Sequence, residues 1–458
     1  MKDLYITIFG ATGDLARKKI YKSLYYLYLS KDLENVRILG IGRNLLTNQE
    51  YRLLVKNSLI NFSSDNIELF LDKFSFLGID YSNKKSLYDE INNKFAIDSK
   101  AYFLFYMAIP PSAFQSSINL IYNLKTELPS SQIKLLIEKP FGEDLETAKH
   151  LNEILTECFL EDEIYRVDHY LGKETIQNII ALRFGNSIFE PILNNHYVKS
   201  IHIDLFESIG VEDRAEYFDQ NGIIKDMFQS HILQIMTMFM MESPVRIEAE
   251  FIRDEKYKVL KSLRPIDLNQ VKIGQYTANL EQNIKSYVEE DGTPEDSKTE
   301  TYFEGTIFVD NLRWEGVPVY IRTGKRMSER KAEIRVQFKE SFRYFMNYDE
   351  ECNPKANELV ISIQPEEEIY LSINSKIPGK GMCIQPVKLN FTYADSFGKT
   401  IDPYTRLIKD AIEGDQKLFV RKDEIEQAWE FVMPLIENKQ KLLEKLIYYK
   451  ACDEDVVF

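Results

Sequence analysis

A chain of 458 residues, 44% apolar and 28% charged, has length for two or three globular domains and material for a sizeable core. Its net charge of −15 argues against nucleic acid or an anionic membrane as a partner. No run of about 18 uncharged apolar residues offers a membrane-spanning helix. Four sparse cysteines (Cys158, Cys352, Cys383, Cys452) without CxxC spacing argue against a disulfide framework or a cysteine zinc site, and point to the reducing cytoplasm. Met1-Lys2-Asp3-Leu4 runs straight into an apolar segment followed by glycines, which reads as a strand and not a signal peptide.

The first 140 residues alternate apolar runs with amphipathic stretches. Leu4 to Phe9 is a run of β-formers ending at Gly10. Ala16 to Ser30 follows with Ile20, Leu24, Leu27 and Tyr28 at helical spacing. Val36 to Ile41, Ala101 to Ala108 and Ile133 to Ile137 are further strands, stopped at Gly42, Pro110-Pro111 and Lys139-Pro140. Near-continuous apolar strands separated by helices predict a parallel sheet covered on both faces. From about residue 197 short, closely spaced segments take over: VKSIHIDLFE, VRIEAEFI, TETYFEGTIFV, VPVYIRTG, AEIRVQF, ELVISIQP, EIYLSI and VKLNFTY. They predict a large, mainly antiparallel sheet, flanked by helices at Lys225–Met241 and Asp423–Leu435. The acidic stretch 289–296 reads as a solvated surface loop. The expected organisation is α/β plus α+β: a Rossmann dinucleotide-binding domain over 1–175, then a larger domain over 176–458 with a mainly antiparallel sheet flanked by helices.

Gly10-Ala11-Thr12-Gly13-Asp14-Leu15-Ala16 places glycines three apart at a strand-to-helix turn, where free backbone N–H groups and a helix N-terminus suit a pyrophosphate. The spacing is GxxGxxA, not GxGxxG. At the end of the second strand an NAD site carries Asp or Glu; here Gly42 is followed by Arg43 and Asn44. A guanidinium there suits a 2′-phosphate and favours NADP over NAD. Lys139 lies at the carboxyl end of a parallel strand, facing a ligand crevice.

Arg166 to Glu174 is the most informative stretch. If a helix starts here, His169 and Lys173 share a face, and with Tyr170 they offer donors to a phosphate. Asp168 fits two roles: a helix N-cap, or the partner of a distant histidine. His231, in a strongly apolar helix, is either a core residue or the base that alcohol oxidation needs. Asp226, five residues earlier, is about 140° away round an α-helix and off its stripe. No HxxxH, HExxH or DxDxDG pattern is present, so no metal is expected, and no GxSxG elbow supports acyl transfer.

The chain resembles the glucose-6-phosphate dehydrogenase family along nearly its whole length. The carrying motifs are IFGATGDLARKKIY, YMAIPPSAF, IEKPFGEDL, RVDHYLGKE, ESIGVEDRAEYFD, IKDMFQSHILQ, VPVYIRTGKRMSERKAEIRVQF and NELVISIQP. The resemblance implies that His231 takes the proton from the carbon-1 hydroxyl while Asp168 orients it. It implies phosphate contacts from His169, Tyr170 and Lys173. Lys139, Glu207, Asp226, Lys325, Arg330 and Gln364 would touch the sugar phosphate. Gly10, Thr12, Gly13, Asp14, Leu15, Lys19, Lys139 and Arg43 would touch NADP, with NAD a weaker alternative. A homodimer or homotetramer, paired through the sheet, is also implied. The chain departs from many members at Lys22 and Asn44. Some members hold a second, structural NADP; Lys331, Arg335 and Tyr370 resemble part of that site, but Ser362 replaces an arginine, so the second site is not expected. The other readings are a related oxidoreductase for an unphosphorylated sugar, and a non-catalytic sensor of NADP or sugar phosphate. The phosphate donors argue against the first, and Asp168 with His231 against the second.

Overall fold

The computed structural model describes residues 3–33, 35–60, 62, 66–79, 87–95, 100–341, 352–398 and 400–453. They form two compact units. The first comprises Met1–Gly172 with Arg246–Arg253 and Ile401–Glu426; the second takes Lys173–Val245, Asp254–Thr400 and Gln427–Phe458.

The first unit is built on β1 (Leu4–Phe9), β2 (Val36–Gly42), β3 (Phe74–Gly78), β4 (Tyr102–Met107), β5 (Gln132–Glu138) and β6 (Ile164–Val167). All six run parallel, in the order β6-β5-β4-β1-β2-β3. Every residue of β1 is buried, as the apolar run required of a strand covered on both faces. Neither β3 nor β6 was legible as a strand from its short, mixed sequence. Helices at Asn48–Ser58 and Leu145–Cys158 each begin with a capping box, Thr47 with Glu50 and Asp144 with Thr147. The edge beyond β6 is closed by a strand from far along the chain, Phe419–Val420, paired antiparallel.

Segment 245–252, read above as a strand, is not one. Val245 and Ile247 are exposed, and Ala249–Lys261 is a helix that buries Ile252, Val259 and Leu260. The period-two alternation was a short-window coincidence inside a helical pattern.

The second unit holds a nine-stranded sheet among the described residues. After β7 (Val198–Phe206) come β8 (Lys272–Thr277), β9 (Tyr302–Ile307), β10 (Val319–Gly324), β11 (Lys331–Phe338), β12 (Glu358–Gln364), β13 (Glu368–Lys376) and β14 (Ile384–Thr392). With the Phe419–Val420 strand as β15, Ile447–Lys450 is β16. The order is β14-β13-β12-β11-β7-β10-β9-β8-β16. Only β7–β10 and β8–β16 pair in parallel, so the sheet is mainly antiparallel, as expected. The helical run Ile224–Met240 packs against β7 and β10 and buries Met236, Met238, Phe239 and Met240 completely. Two features depart from what composition predicts. Cys352 and Cys383 are joined in a disulfide, 31 residues apart in sequence. Glu290, from the acidic stretch, is not merely solvated: it accepts from Arg326 and from the Tyr276 hydroxyl, each at 3.0 Å.

Candidate active site

The glycine turn in the first unit is set by backbone geometry. Gly10 has φ +78°, and a Cβ there would lie 2.1 Å from the carbonyl oxygen of Ala108. Only glycine combines that angle with that approach. The N–H groups of Gly10 and Ala11 donate to the carbonyl of Ile41 at 3.0 and 3.1 Å, and Gly13 N–H donates to Gly10. From below, the Tyr21 hydroxyl donates to the Ala11 carbonyl. The result is a cleft of about 310 Å³ lined by Gly10, Thr12, Gly13, Arg43 and Asn44 and by Ala108, Ile109, Pro110, Ser112 and Ala113. Its chemistry fits a dinucleotide: backbone close to the phosphates at a helix start, and a guanidinium at the end of β2. Ala16–Ile20, which follows, is π-wound. Asp14 is exposed and ion-paired to Lys18 at 2.8 Å, which holds its carboxyl below the usual range.

Lys19 is placed by residues nearly 400 positions away. Its ammonium lies 3.2 Å from the Asp402 carboxylate and 5.8 Å from the centre of the Tyr404 ring. Tyr404 in turn stacks on His169, with ring centres 6.0 Å apart and planes within 10°. Asp402 and Tyr404 come from the start of the helix Pro403–Glu413, which Asp402 caps through Tyr404 N–H. No local signal announced either one; their part in the site exists only because segment 401–426 joins the first unit.

Residues 168–173 are a turn, and the expected helix through His169 does not form; the helix spans Glu174–Phe184, with Lys173 at its N-cap position. The reason is local. The Asp168 carboxylate accepts from Tyr170 N–H at 3.0 Å, and the Asp168 carbonyl accepts from Leu171 N–H. Asp168 therefore caps a turn two residues on, not a helix. It is 3% exposed. The Lys139-Pro140 bond is cis. Next to it, buried Glu138 accepts from the Tyr106 hydroxyl at 2.5 Å.

In the second unit Glu207, Asp226 and Lys325 come together. Lys325, almost fully buried at the end of β10, pairs with Glu207 and lies 3.8 Å from the Asp226 carboxylate. Its ammonium also lies 4.9 Å from the centre of the Phe218 ring. Arg330 and Gln364 are not part of that cluster but bond each other at 3.1 Å. His231 is 2% exposed on Ile224–Ile232, which is π-wound. The α-helical wheel set Asp226 and His231 apart, but with hydrogen bonds from i to i+5, residues five apart lie nearly above one another. The winding starts at a break: Gly222 has φ 67° and ψ 176°. There the buried Glu300 accepts from Ile223 N–H with its carbonyl, at 3.1 Å, and its carboxyl lies against the break. A Cβ on Gly222 would stand 2.0 Å from that carboxylate.

Lys331 and Arg335 are each held by Glu333, at 3.3 and 2.8 Å, and Arg322 by Asp204 at 2.6 Å.

A parallel sheet with a glycine turn at the end of its first strand, followed in the chain by a large, mainly antiparallel sheet, fits the class of dinucleotide-dependent oxidoreductases. The family comparisons agree and are more specific. The profile described as "Glucose-6-phosphate dehydrogenase, NAD binding domain" matches residues 7–178, and "Glucose-6-phosphate dehydrogenase, C-terminal domain" matches 180–455. The chain is 43% identical to glucose-6-phosphate 1-dehydrogenase of Borreliella burgdorferi, over 97% of this chain and 93% of that one. It is 40% identical to the Bacillus subtilis enzyme of the same name, over 94% and 91%. A solved glucose-6-phosphate dehydrogenase in complex with its substrate glucose-6-phosphate matches with TM-score 0.90 at 36% identity, covering 99% of this chain and 95% of that one. The enzyme from Mycobacterium avium matches with TM-score 0.86 at 30% identity, over 99% and 94%. The chain belongs to the glucose-6-phosphate dehydrogenase family. Among the described residues no helix is long and apolar enough to cross a membrane.

Proposed function

We propose that this protein oxidises D-glucose 6-phosphate at carbon 1 to 6-phospho-D-glucono-1,5-lactone, with NADP as hydride acceptor, the first step of the oxidative pentose phosphate pathway. The observation that carries the reading is end-to-end similarity to enzymes of that name, one of them 43% identical over 97% of the chain. When bound, the coenzyme would supply the acceptor for the hydride that leaves carbon 1. His231 takes the proton from the carbon-1 hydroxyl as the C–H bond of carbon 1 breaks and the lactone carbonyl forms. Asp168 orients the imidazole and balances the positive charge that it acquires. Burial supports both roles, because a carboxylate and an imidazole act more strongly when shielded from water.

His169, Tyr170 and Lys173 bind the 6-phosphate. Lys139, Glu207, Asp226, Lys325, Arg330 and Gln364 bind the sugar and fix its orientation. Gly10, Thr12, Gly13, Asp14, Leu15 and Lys19 hold the coenzyme with Lys139, and Arg43 binds its 2′-phosphate. The cytoplasm is the proposed setting and a homodimer or homotetramer the proposed assembly. Exposed apolar groups near and on the edge strand β14, Met382 and Leu389, support pairing through the sheet.

The test is the absorbance of reduced nicotinamide with purified protein and glucose 6-phosphate, comparing NADP with NAD. Rapid growth with NADP supports the reading, and the ratio to NAD measures the part played by Arg43. No growth with either coenzyme, in folded protein, refutes it.

A further inference from the structure

Glu138 is buried where the mechanism above gives it no part. It is the last residue of β5, and its register partner on β6 is Val167, the residue before Asp168. Its carboxyl accepts the hydroxyl of Tyr106 from β4, at 2.5 Å, and Tyr106 is 1% exposed. A buried carboxyl with one strong donor, between two proposed site residues on adjacent strand ends, is an expensive arrangement for a core. An apolar residue would fill the space at lower cost.

We propose that Glu138, held by Tyr106, is a positioning residue that tunes the catalytic pair through Asp168 by gaining or losing a proton. The proposal rests on the reading of Asp168 and His231 given above. In the neutral state the Tyr106 hydroxyl bonds one oxygen and the proton sits on the carboxyl. On ionisation the proton leaves to solvent, and two carboxylates then lie at neighbouring strand ends with Lys139 as the adjacent cation. The added negative charge makes the base that Asp168 supports a stronger one.

The groups acting on Glu138 come from β4, from its own strand end and from the turn after β6. Burial raises its pKa to about 7, which places the ionisation within the working range. Tyr106 and Lys139 favour the charged form, and Asp168 opposes it. Asp402 and Tyr404, from the start of the helix Pro403–Glu413, act on Tyr106, whose hydroxyl stays protonated because of burial and the neighbouring Glu138.

The experiment is the pH profile of kcat/KM for glucose 6-phosphate from pH 5 to 9 in the parent, in Glu138→Gln and in Tyr106→Phe. In the parent the acid limb is spread by two coupled ionisations. In Glu138→Gln it narrows to one ionisation and moves to lower pH by about half a unit. Tyr106→Phe removes the bond that favours the charged form, so its profile lies between those two. Tyr106→Phe keeps the carboxyl in place and carries the comparison should Glu138→Gln not fold. Profiles that coincide with the parent's, with only the melting temperature lowered, would make Glu138 a structural residue and overturn the proposal. A parent without dehydrogenase activity would refute the reading of the function instead, and is separately visible.

Discussion

Replacing Gly222 with alanine should damage the protein by a route that can be followed step by step. The residue sits at φ 67° and ψ 176°, a region that is essentially glycine's alone, and holding another residue there costs about 1–3 kcal/mol. The new Cβ would lie 2.0 Å from one oxygen of Glu300 and 2.6 Å from its carboxyl carbon, so the carboxyl must move. Moving it disturbs the residue whose carbonyl holds Ile223 N–H at 3.1 Å, a bond worth about 1 kcal/mol. It also shifts the carboxylate relative to Lys439, now 3.6 Å away. The sum is about 2–4 kcal/mol, or a fall in melting temperature of about 10 °C for a unit of this size. Because Ile224–Ile232 carries Asp226 and His231, kcat should fall by at least about tenfold in protein that is still folded at 25 °C. The assay is thermal and urea unfolding beside steady-state kinetics, in Gly222→Ala, Glu300→Ala and the double variant. The double variant should be less damaged than the sum of the singles by about 1–2 kcal/mol, since the steric conflict then has no second party. A Gly222→Ala protein with the parent's stability and kcat would refute the argument, and additive singles would refute its steric part.

Three further outcomes are expected. His231→Asn should lower kcat by about two to four orders of magnitude while KM for glucose 6-phosphate changes little; equal turnover in variant and parent would remove His231 as the base. Lys173→Ala should raise KM for glucose 6-phosphate about 10- to 100-fold through loss of a charged hydrogen bond, and leave any activity on glucose unchanged; undiminished preference for the phosphorylated sugar would end the phosphate role. The raised pKa of Glu138 also sets a stability trend. Below about pH 4.5 the group is neutral whether folded or unfolded, but between there and pH 7 the unfolded chain releases the proton while the folded one keeps it. Stability therefore falls as pH rises through that window, by up to about 3 kcal/mol, and urea midpoints at pH 5 and pH 8 should lie closer together in Glu138→Gln than in the parent. Midpoints equally far apart in both proteins would show that Glu138 is not the group responsible.

Much of this protein can be read from the chain alone, and the particular residues show why. The strands Leu4–Phe9, Val36–Gly42 and Tyr102–Met107 announce themselves because strands buried on both faces need unbroken apolar runs. The glycine turn is legible because a positive φ against the Ala108 carbonyl excludes every side chain at Gly10. The motifs around Asp168, His231 and Lys325 name the candidate site before any coordinate does, since chemistry needs particular side chains and not merely a shape.

What tertiary structure alone decided has another origin. Val245 to Ile252 alternates like a strand, yet Ala249–Lys261 is a helix whose apolar stripe extends beyond the alternating window. The stretch after Val167 has helical charge spacing, yet the Asp168 carboxylate takes Tyr170 N–H and turns the chain first. Asp226 and His231 are separated on an α-helical wheel and drawn together by π-winding, which starts at Gly222 beneath a carboxylate 78 residues further on. Asp402 and Tyr404 reach Lys19 and His169, and Tyr106 reaches Glu138, only because distant segments are packed into the same unit. Local sequence sets periodicity, turn chemistry and which groups are available, because those depend on neighbours within a few bonds. Which carboxylate caps which helix, and which buried acid keeps its proton, depend on burial and on partners distant in the chain, and these exist only in the folded molecule.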